Sequence, residues 1–164
     1  AGASGQDNVY MFDGANITMP LFGVLLAQPN INDIAQVNIT RGAANVLLCE
    51  QDAGLVAQLQ AAKTKLSAEA VRIERGNGVT ALERTTAGSL HAVFLDPPFD
   101  STALYEPALR AAARALRPGG VVYLEAPRQW NDEELAAFGL ASFRYLKAGA
   151  VHAHLLRLAS EGTA

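Results

Sequence analysis

Short apolar runs alternate with helix-like segments from residue 41 to the end of the chain, and this alternation restricts the fold more than any other feature. Strands are predicted at residues 46–50, 71–75, 90–95 and 121–125, and helices at residues 53–66, 79–83, 101–116 and 131–137. A first strand is predicted at residues 9–12, and the stretch 117–120 is predicted as the break that stops the helix 101–116. Strands that alternate with helices form a mostly parallel sheet with helices on both faces. The sequence therefore predicts a doubly wound α/β fold of the Rossmann-like kind.

Several of these elements have recognisable end signals. Asp52 stands at the N-cap position of the first predicted helix. Asn131 followed by Glu134 predicts a capping box for a short helix. The last two strand-like runs, residues 142–147 and 151–158, are joined by a short connection that contains a glycine. Such a short connection predicts an antiparallel hairpin at the carboxyl end of the sheet.

The length and the charge distribution limit the domain organisation and the partners. At 164 residues the chain is expected to be a single domain, with residues 1–40 as an atypical amino-terminal segment. That segment holds three aspartates and no Lys or Arg, whereas the rest holds all 13 basic residues and the other 13 acidic ones. A nucleic-acid binder usually has a basic footprint. An RNA substrate would therefore need a local patch, a further segment or other proteins to hold it.

Other features concern the compartment and metal binding. No apolar run is long enough to cross a bilayer, and the amino end lacks the basic region of a signal peptide. The one cysteine, Cys49, lies in an apolar run, which excludes an internal disulfide framework and indicates a reducing compartment. We therefore expect a cytoplasmic protein without a membrane partner. His152 and His154 alternate on a strand, but no third ligand has a suitable spacing, so no metal site is predicted.

Polar residues follow three of the predicted strands. Glu50 and Gln51 stand at the end of one strand, Asn77 and Gly78 follow the next, and Asp96 follows a third. The carboxyl ends of parallel strands meet at the edge where doubly wound sheets bind nucleotides, and an acid there accepts hydrogen bonds from ribose hydroxyls. Taken singly, Glu50 is more simply a solvated acid, and Asn77 a turn residue that tolerates positive φ. Together these residues predict a site for a nucleoside-containing cofactor.

The residues Asp96-Pro97-Pro98-Phe99, called the lip below, end the apolar run 92–95. The prolines fix their own φ and favour extended backbone before them, and they lack an N–H, so we expect neighbouring carbonyls to stay free as acceptors. The Asp96 carboxylate and the Pro97 carbonyl could then hold an amino group while the Phe99 ring stacks on a flat base. The lip thus has the parts needed to methylate an amino nitrogen on a planar substrate. The alternative is a turn that merely ends a strand.

Residues 41–164 resemble the RsmD-type methyltransferases in stretches that occur in the family's order. The matching stretches are residues 41–43, 46–52, 71–82, 94–99, 116–125 and 147–152. The resemblance implies a class I methyltransferase sheet and transfer of a methyl group from S-adenosylmethionine to the N2 amine of a guanine in 16S rRNA. It also implies 16S rRNA as the partner, within a small-subunit assembly particle, and we expect a monomer.

The resemblance also implies roles for individual residues. Glu50, with Gln51 beside it, would bind the ribose of the cofactor, and residues 76–78 would flank its adenine. The lip, residues 96–99, would hold the target guanine. Phe12 and Gly14 match the family's first motif, a loop whose glycines let the backbone approach the methionine part of the cofactor.

The chain departs from the family at three of these positions. Tyr10 replaces the usual acid of the first motif, Asn16 replaces its last glycine, and Asn77 stands where the family usually has Asp. Two alternatives therefore stay open. One is an amino-methyltransferase with another target, such as adenine in DNA or glutamine in protein. The other is a non-catalytic remnant that only binds RNA or the ribosome.

Overall fold

The computed structural model describes residues 45–159 and, before them, the backbone of four two-residue strands. These strands are β1 (Met11–Phe12), β2 (Ala15–Asn16), β3 (Thr18–Met19) and β4 (Val24–Leu25). β1 pairs with β2 and β3 pairs with β4, both in antiparallel fashion. The predicted first strand, residues 9–12, is thus a strand over its last two residues, and the other two lie outside the described part of the chain.

The chain divides into two compact units, residues 1–75 and residues 76–164. In the first unit, β5 (Val46–Glu50), α1 (Ala53–Lys65) and β6 (Val71–Arg75) follow one another. β5 and β6 are parallel neighbours, so these three elements form a β-α-β unit. The Asp52 side chain caps α1 by accepting a hydrogen bond from the backbone N–H of Leu55, at 2.9 Å.

The second unit contains the remaining elements. They are α2 (Gly78–Arg84), β7 (Leu90–Leu95), a short 3-10 turn (Thr102–Leu104), α3 (Tyr105–Ala115), β8 (Leu116–Ala126), α4 (Asp132–Ala136), β9 (Leu140–Ala148) and β10 (Val151–Leu158). Their sheet has the strand order β7-β8-β10-β9. β7 and β8 are parallel, whereas β10 is antiparallel to both of its neighbours. The predicted α/β fold with a carboxyl-terminal antiparallel hairpin is confirmed.

The core of the second unit lies between α3 and the sheet. The buried face of α3 carries small and apolar side chains at helical spacing, namely Tyr105, Ala108, Leu109, Ala112 and Ala115. The three alanines let the helix axis come close to the strands, and Leu109 belongs to the same core cluster as Val122, Leu124 and Leu156, all of which are fully buried. This packing holds the carboxyl ends of β7 and β8 in place.

Two predicted boundaries were wrong around α3. The predicted helix 101–116 begins as the 3-10 turn and becomes α-helical only at Tyr105. It ends at Ala115, and β8 begins at the next residue, Leu116. The stretch 117–120, predicted as a break, therefore lies within β8, where it forms an irregularity in the pairing with β7. Pro118 cannot donate to the sheet, and Gly119 takes a φ of +77° that favours glycine. The break signals therefore produce a distortion within the strand.

The capping box is confirmed. The Asn131 side chain accepts a hydrogen bond from the N–H of Glu134, and the Glu134 carboxylate accepts one from the N–H of Asn131, both at 2.9 Å. No helix within residues 45–159 combines the length and the apolar character that a membrane-spanning helix needs.

Candidate active site

The lip leaves β7 with Asp96 exposed, and its backbone carbonyls have partners within the protein. The Pro98 carbonyl accepts a hydrogen bond from the Ser101 N–H at 2.9 Å, and the Pro97 carbonyl accepts one from the Tyr105 hydroxyl at 3.4 Å. The expectation that these carbonyls stay free was therefore wrong. A carbonyl oxygen has two lone pairs, so the Pro97 oxygen keeps the capacity to accept a second hydrogen bond.

Tyr105 contacts the lip from the buried side of the protein. Its side chain is buried at the start of α3, and its ring lies 6.1 Å from the ring of Trp130. Burial, together with the charges of Asp96 and Glu125, raises the pKa of Tyr105 to about 12. The hydroxyl therefore keeps its proton at neutral pH and acts as a donor toward the lip.

Glu125 lies next to Asp96 at the carboxyl edge of the sheet. Leu95 pairs with Leu124 in the parallel register of β7 and β8, so the residues that follow, Asp96 and Glu125, are neighbours on the same face. The Tyr123 hydroxyl, on that face of β8, donates a hydrogen bond of 2.8 Å to Oε1 of Glu125. The site thus has a second carboxyl group that the sequence analysis had predicted only as the end of a strand.

Burial and charge act together on this group of side chains. Burial raises the pKa of Glu125, the Asp96 carboxylate raises it further, and the hydrogen bond from Tyr123 opposes the increase. Burial and the Glu125 charge likewise raise the pKa of Tyr123, which therefore stays protonated at neutral pH. Glu125 could have been identified from the sequence, because it is an acid at the end of the next strand after the one that leads into the lip.

Glu50 and Gln51 stand at the end of β5 in the first unit, as predicted. Oε1 of Glu50 accepts a hydrogen bond from the Asp52 N–H at 2.7 Å. A carboxylate offers about four lone-pair sites, so this bond leaves capacity for ribose hydroxyls. The Gln51 carbonyl accepts a hydrogen bond of 3.1 Å from Nε of Arg75, which ties the end of β5 to the end of β6. The residues of this strand end therefore fit a ribose.

Asn77 is the N-cap of α2 in the second unit. Its φ is −78°, so it does not adopt the positive φ that the turn interpretation would need. Its Oδ1 atom accepts hydrogen bonds from the N–H groups of Val79 and Thr80, at 2.8 and 3.2 Å. The amide Nδ2 group remains as the donor of this side chain, and it suits a ring nitrogen of adenine better than the exocyclic amine. Gly78 begins the helix beside it.

The remaining predicted residues lie outside this geometry or have other roles. Phe12 belongs to β1 by its backbone, but its side chain and Gly14 lie outside the described residues. Arg114 donates hydrogen bonds to the carbonyls of Leu82, Glu83 and Thr85 at the end of α2.

The two alternating histidines share a face with Tyr145. The Tyr145 hydroxyl lies 2.7 Å from Nδ1 of His152, and Nε2 of His154 accepts a hydrogen bond from the Trp130 N–H at 3.1 Å. Burial lowers the pKa of His154, which therefore favours its neutral form. Residues 45–159 contain no group of three or more His, Cys, Asp or Glu side chains arranged to hold a metal ion.

Comparison with solved structures defines the class of the fold. The chain is similar to a candidate methyltransferase from Escherichia coli, yhhF, with a TM-score of 0.59 and 22% identity over 73% of this chain and 66% of that one. A candidate methylase from Haemophilus influenzae gives the same TM-score and identity, over 73% of this chain and 75% of that one. Mitomycin 7-O-methyltransferase MmcR is 17% identical, with a TM-score of 0.51, over 70% and 42% of the two chains. At these identities the likeness concerns the fold alone, and it is the class I methyltransferase fold.

The family is shown by the sequence itself. Residues 37–157 match the profile of the family described as conserved hypothetical protein 95, the RsmD family. The chain belongs to this family, as the resemblance predicted. Spermidine synthase 1 of Hyoscyamus niger is 35% identical over 86 residues, which cover 50% of this chain and 27% of the synthase. The chain thus spans about a quarter of the length of this curated relative.

Proposed function

We propose that this protein transfers a methyl group from S-adenosylmethionine to the exocyclic N2 amine of a guanine in 16S rRNA. The lip carries this proposal, because it presents the Asp96 carboxylate and the Pro97 carbonyl at the sheet edge of a methyltransferase fold. Membership of the RsmD family supports the choice of substrate. The proposed partner is 16S rRNA within a small-subunit assembly particle, which a monomer would bind.

The lip would position the amine for the reaction. The cofactor, when bound, supplies a methyl group on a sulfonium. Asp96 and the Pro97 carbonyl would each accept a hydrogen bond from one N–H group of the guanine amine, so that the nitrogen lone pair points away from both acceptors. The Phe99 ring would stack on the base. Most of the acceleration then comes from orientation and from the fixed acceptors, which cost no rearrangement during transfer.

The residues at the strand ends fit the proposed cofactor, each within its own unit. Glu50 keeps acceptor capacity for ribose hydroxyls after its bond to Asp52. The Asn77 amide keeps its Nδ2 donor for a ring nitrogen of adenine after it has capped α2. Phe12 and Gly14 stay predicted contacts to the methionine part.

The role of Asp96 is tested by replacement with alanine. We expect Asp96→Ala to lose at least about a hundredfold in single-turnover methyl transfer to unmethylated 16S rRNA and to small-subunit particles, because one amine acceptor is removed. Asp100→Ala is the matched control and should keep its rate, because Asp100 is an exposed neighbour whose carboxylate accepts a hydrogen bond from the Ser101 hydroxyl. Near-normal transfer by Asp96→Ala in a folded protein would contradict this role.

Substrate competition separates the proposed target from other amines. The enzyme is offered 16S rRNA, DNA and protein together, and the methylated nucleotides and amino acids are identified by mass spectrometry. We expect N2-methylguanosine in the rRNA. Methyladenine in DNA or methylglutamine in protein would instead support the other class of amino-methyltransferase.

A further inference from the structure

Glu125 has no part in the site that the sequence predicted, yet it stands beside the residue that would hold the amine. The parallel register of Leu95 with Leu124 places Asp96 and Glu125 side by side on one face. The Tyr123 hydroxyl fixes the Glu125 carboxyl group by a hydrogen bond of 2.8 Å to Oε1. Because β7 and β8 run in the same direction, both acids lie at the carboxyl edge, where doubly wound sheets bind ligands.

The surroundings of Glu125 make its ionised form unfavourable in the folded protein. The side chain is partly buried, and both its burial and the neighbouring Asp96 disfavour the ionised form. Tyr123 is the one group that favours ionisation in the described surroundings, and the β10 neighbour, Ala153, carries no charge. The buried Tyr105 hydroxyl is the other titratable group that senses Glu125. Carboxyl groups held against such costs are typical of functional sites.

We propose that Glu125 accepts the proton that the substrate amine releases on methylation, as a second carboxylate beside Asp96. This inference rests on the proposed function. In the transfer step the amine nitrogen bonds to the methyl carbon, the bond from carbon to sulfur breaks, and its electron pair stays on sulfur. As this bond forms, positive charge develops on the nitrogen, and the nitrogen releases one proton to Glu125 in the same step. The products are a neutral methylated amine and a protonated Glu125, which passes its proton to water.

The two acids would divide the work by their surroundings. Asp96 is the exposed one and would accept a hydrogen bond that orients the amine. Glu125 is the less exposed one, and its environment raises its pKa above that of an ordinary glutamate, so its carboxylate is a stronger base than an ordinary glutamate. A base with a raised pKa takes up a proton more readily, which suits the acceptor of the released proton. A pair of carboxyl groups with different environments often has divided roles of this sort.

The pH dependence of single-turnover transfer to unmethylated 16S rRNA tests the proposal. In the wild type we expect the rate to rise with pH through an acidic limb, where Glu125 loses its proton. Glu125→Gln should lose about a hundredfold in rate and should lack this limb. Tyr123→Phe should keep the limb but move it to higher pH, because the hydrogen bond that lowers the pKa of Glu125 is removed. Glu133→Gln, an exposed acid on α4, should have the wild-type profile.

A second measurement requires neither cofactor nor substrate. Carbon-13 NMR of the carboxyl groups follows the titration of Glu125 directly. Asp96→Asn should lower the pKa of Glu125, because a neighbouring negative charge is removed, whereas Tyr123→Phe should raise it. Identical titration of Glu125 in all three proteins would mean that the carboxyl pair is not coupled, and the proposal would fail.

The outcomes separate this inference from the proposed function. If Asp96→Ala is inactive while Glu125→Gln keeps the wild-type rate and the acidic limb, the site methylates the amine without Glu125, and only this inference fails. If the wild type methylates no guanine in either form of the RNA, the proposed function fails and takes this inference with it. Circular dichroism confirms in each case that the variants are folded.

Discussion

At the scale of single residues, four side chains make up the candidate site at the strand end. Asp96 presents a carboxylate, Tyr105 donates to the lip from the buried side, and Glu125 adds a second acid held by Tyr123. Each contact joins residues that are apart in the sequence or in different strands, except the bond within β8. The cost of keeping Glu125 partly buried beside Asp96 can be measured as a loss of stability.

We therefore expect Glu125→Gln to be more stable than the wild type at neutral pH. Burial and Asp96 raise the folded-state pKa of Glu125 above its unfolded value, so the folded state binds the proton more tightly. That contribution to stability is fully present below the unfolded pKa and is lost as the pH rises through the folded pKa. Urea denaturation at several pH values should show the advantage of the variant shrinking as the solution is acidified. A difference that does not vary with pH would contradict the raised pKa.

At the scale of elements, the chain's local signals and its packing agree closely. Asp52 and the Asn131–Glu134 capping box begin their helices as predicted. The end of α2 has a different kind of support, because Arg114 of α3 donates to three carbonyls there. The last carbonyls of a helix have no partner within it, so this side chain completes α2 and fastens it to α3.

We expect Arg114→Ala to destabilise the protein by about 1 kcal/mol, the net contribution of a hydrogen bond of this kind near the surface. Urea denaturation measures the change. Arg117→Ala is the matched control, since Arg117 is also exposed and its guanidinium contacts the His91 ring instead. Equal effects of the two substitutions would show that Arg114 gives α2 no special support.

At the scale of the whole molecule, the strand ends with predicted nucleoside-binding residues belong to both compact units. Glu50 and Gln51 lie in the first unit, and Asn77, Gly78 and the lip lie in the second. The first motif of the family falls among residues 1–40, where Phe12 and Gly14 match and other positions depart. The prediction of cofactor binding can therefore be tested by substitutions in either unit.

We expect calorimetric titration to show S-adenosylmethionine binding at micromolar concentration, or about −8 kcal/mol. Glu50→Ala should weaken it by at least about tenfold, because a ribose acceptor is lost. Glu69→Ala, an exposed acid of the same unit, should bind like the wild type. No heat and no thermal shift at millimolar ligand would overturn the proposed cofactor. The protein would then be better described as a remnant that binds RNA or the ribosome.

The sequence by itself determined the features that depend on near neighbours along the chain. The period of apolar residues and the capping residues located β5, α1, β6 and β7 with few errors, because these signals act within a few residues. The resemblance identified the family, and the motif order identified the lip. Pro118 and the two glycines that follow it were misread as a break between elements, because such a local signal does not show whether a strand paired with a neighbour continues past it.

The tertiary structure alone decided which of these residues meet. Nothing local states that β7 pairs with β8, and only that register places Glu125 beside Asp96. The contact of Tyr105 with Pro97 likewise depends on how α3 packs against the sheet. Such contacts arise when apolar faces are buried together, and that burial depends on the whole chain rather than on any short segment of it.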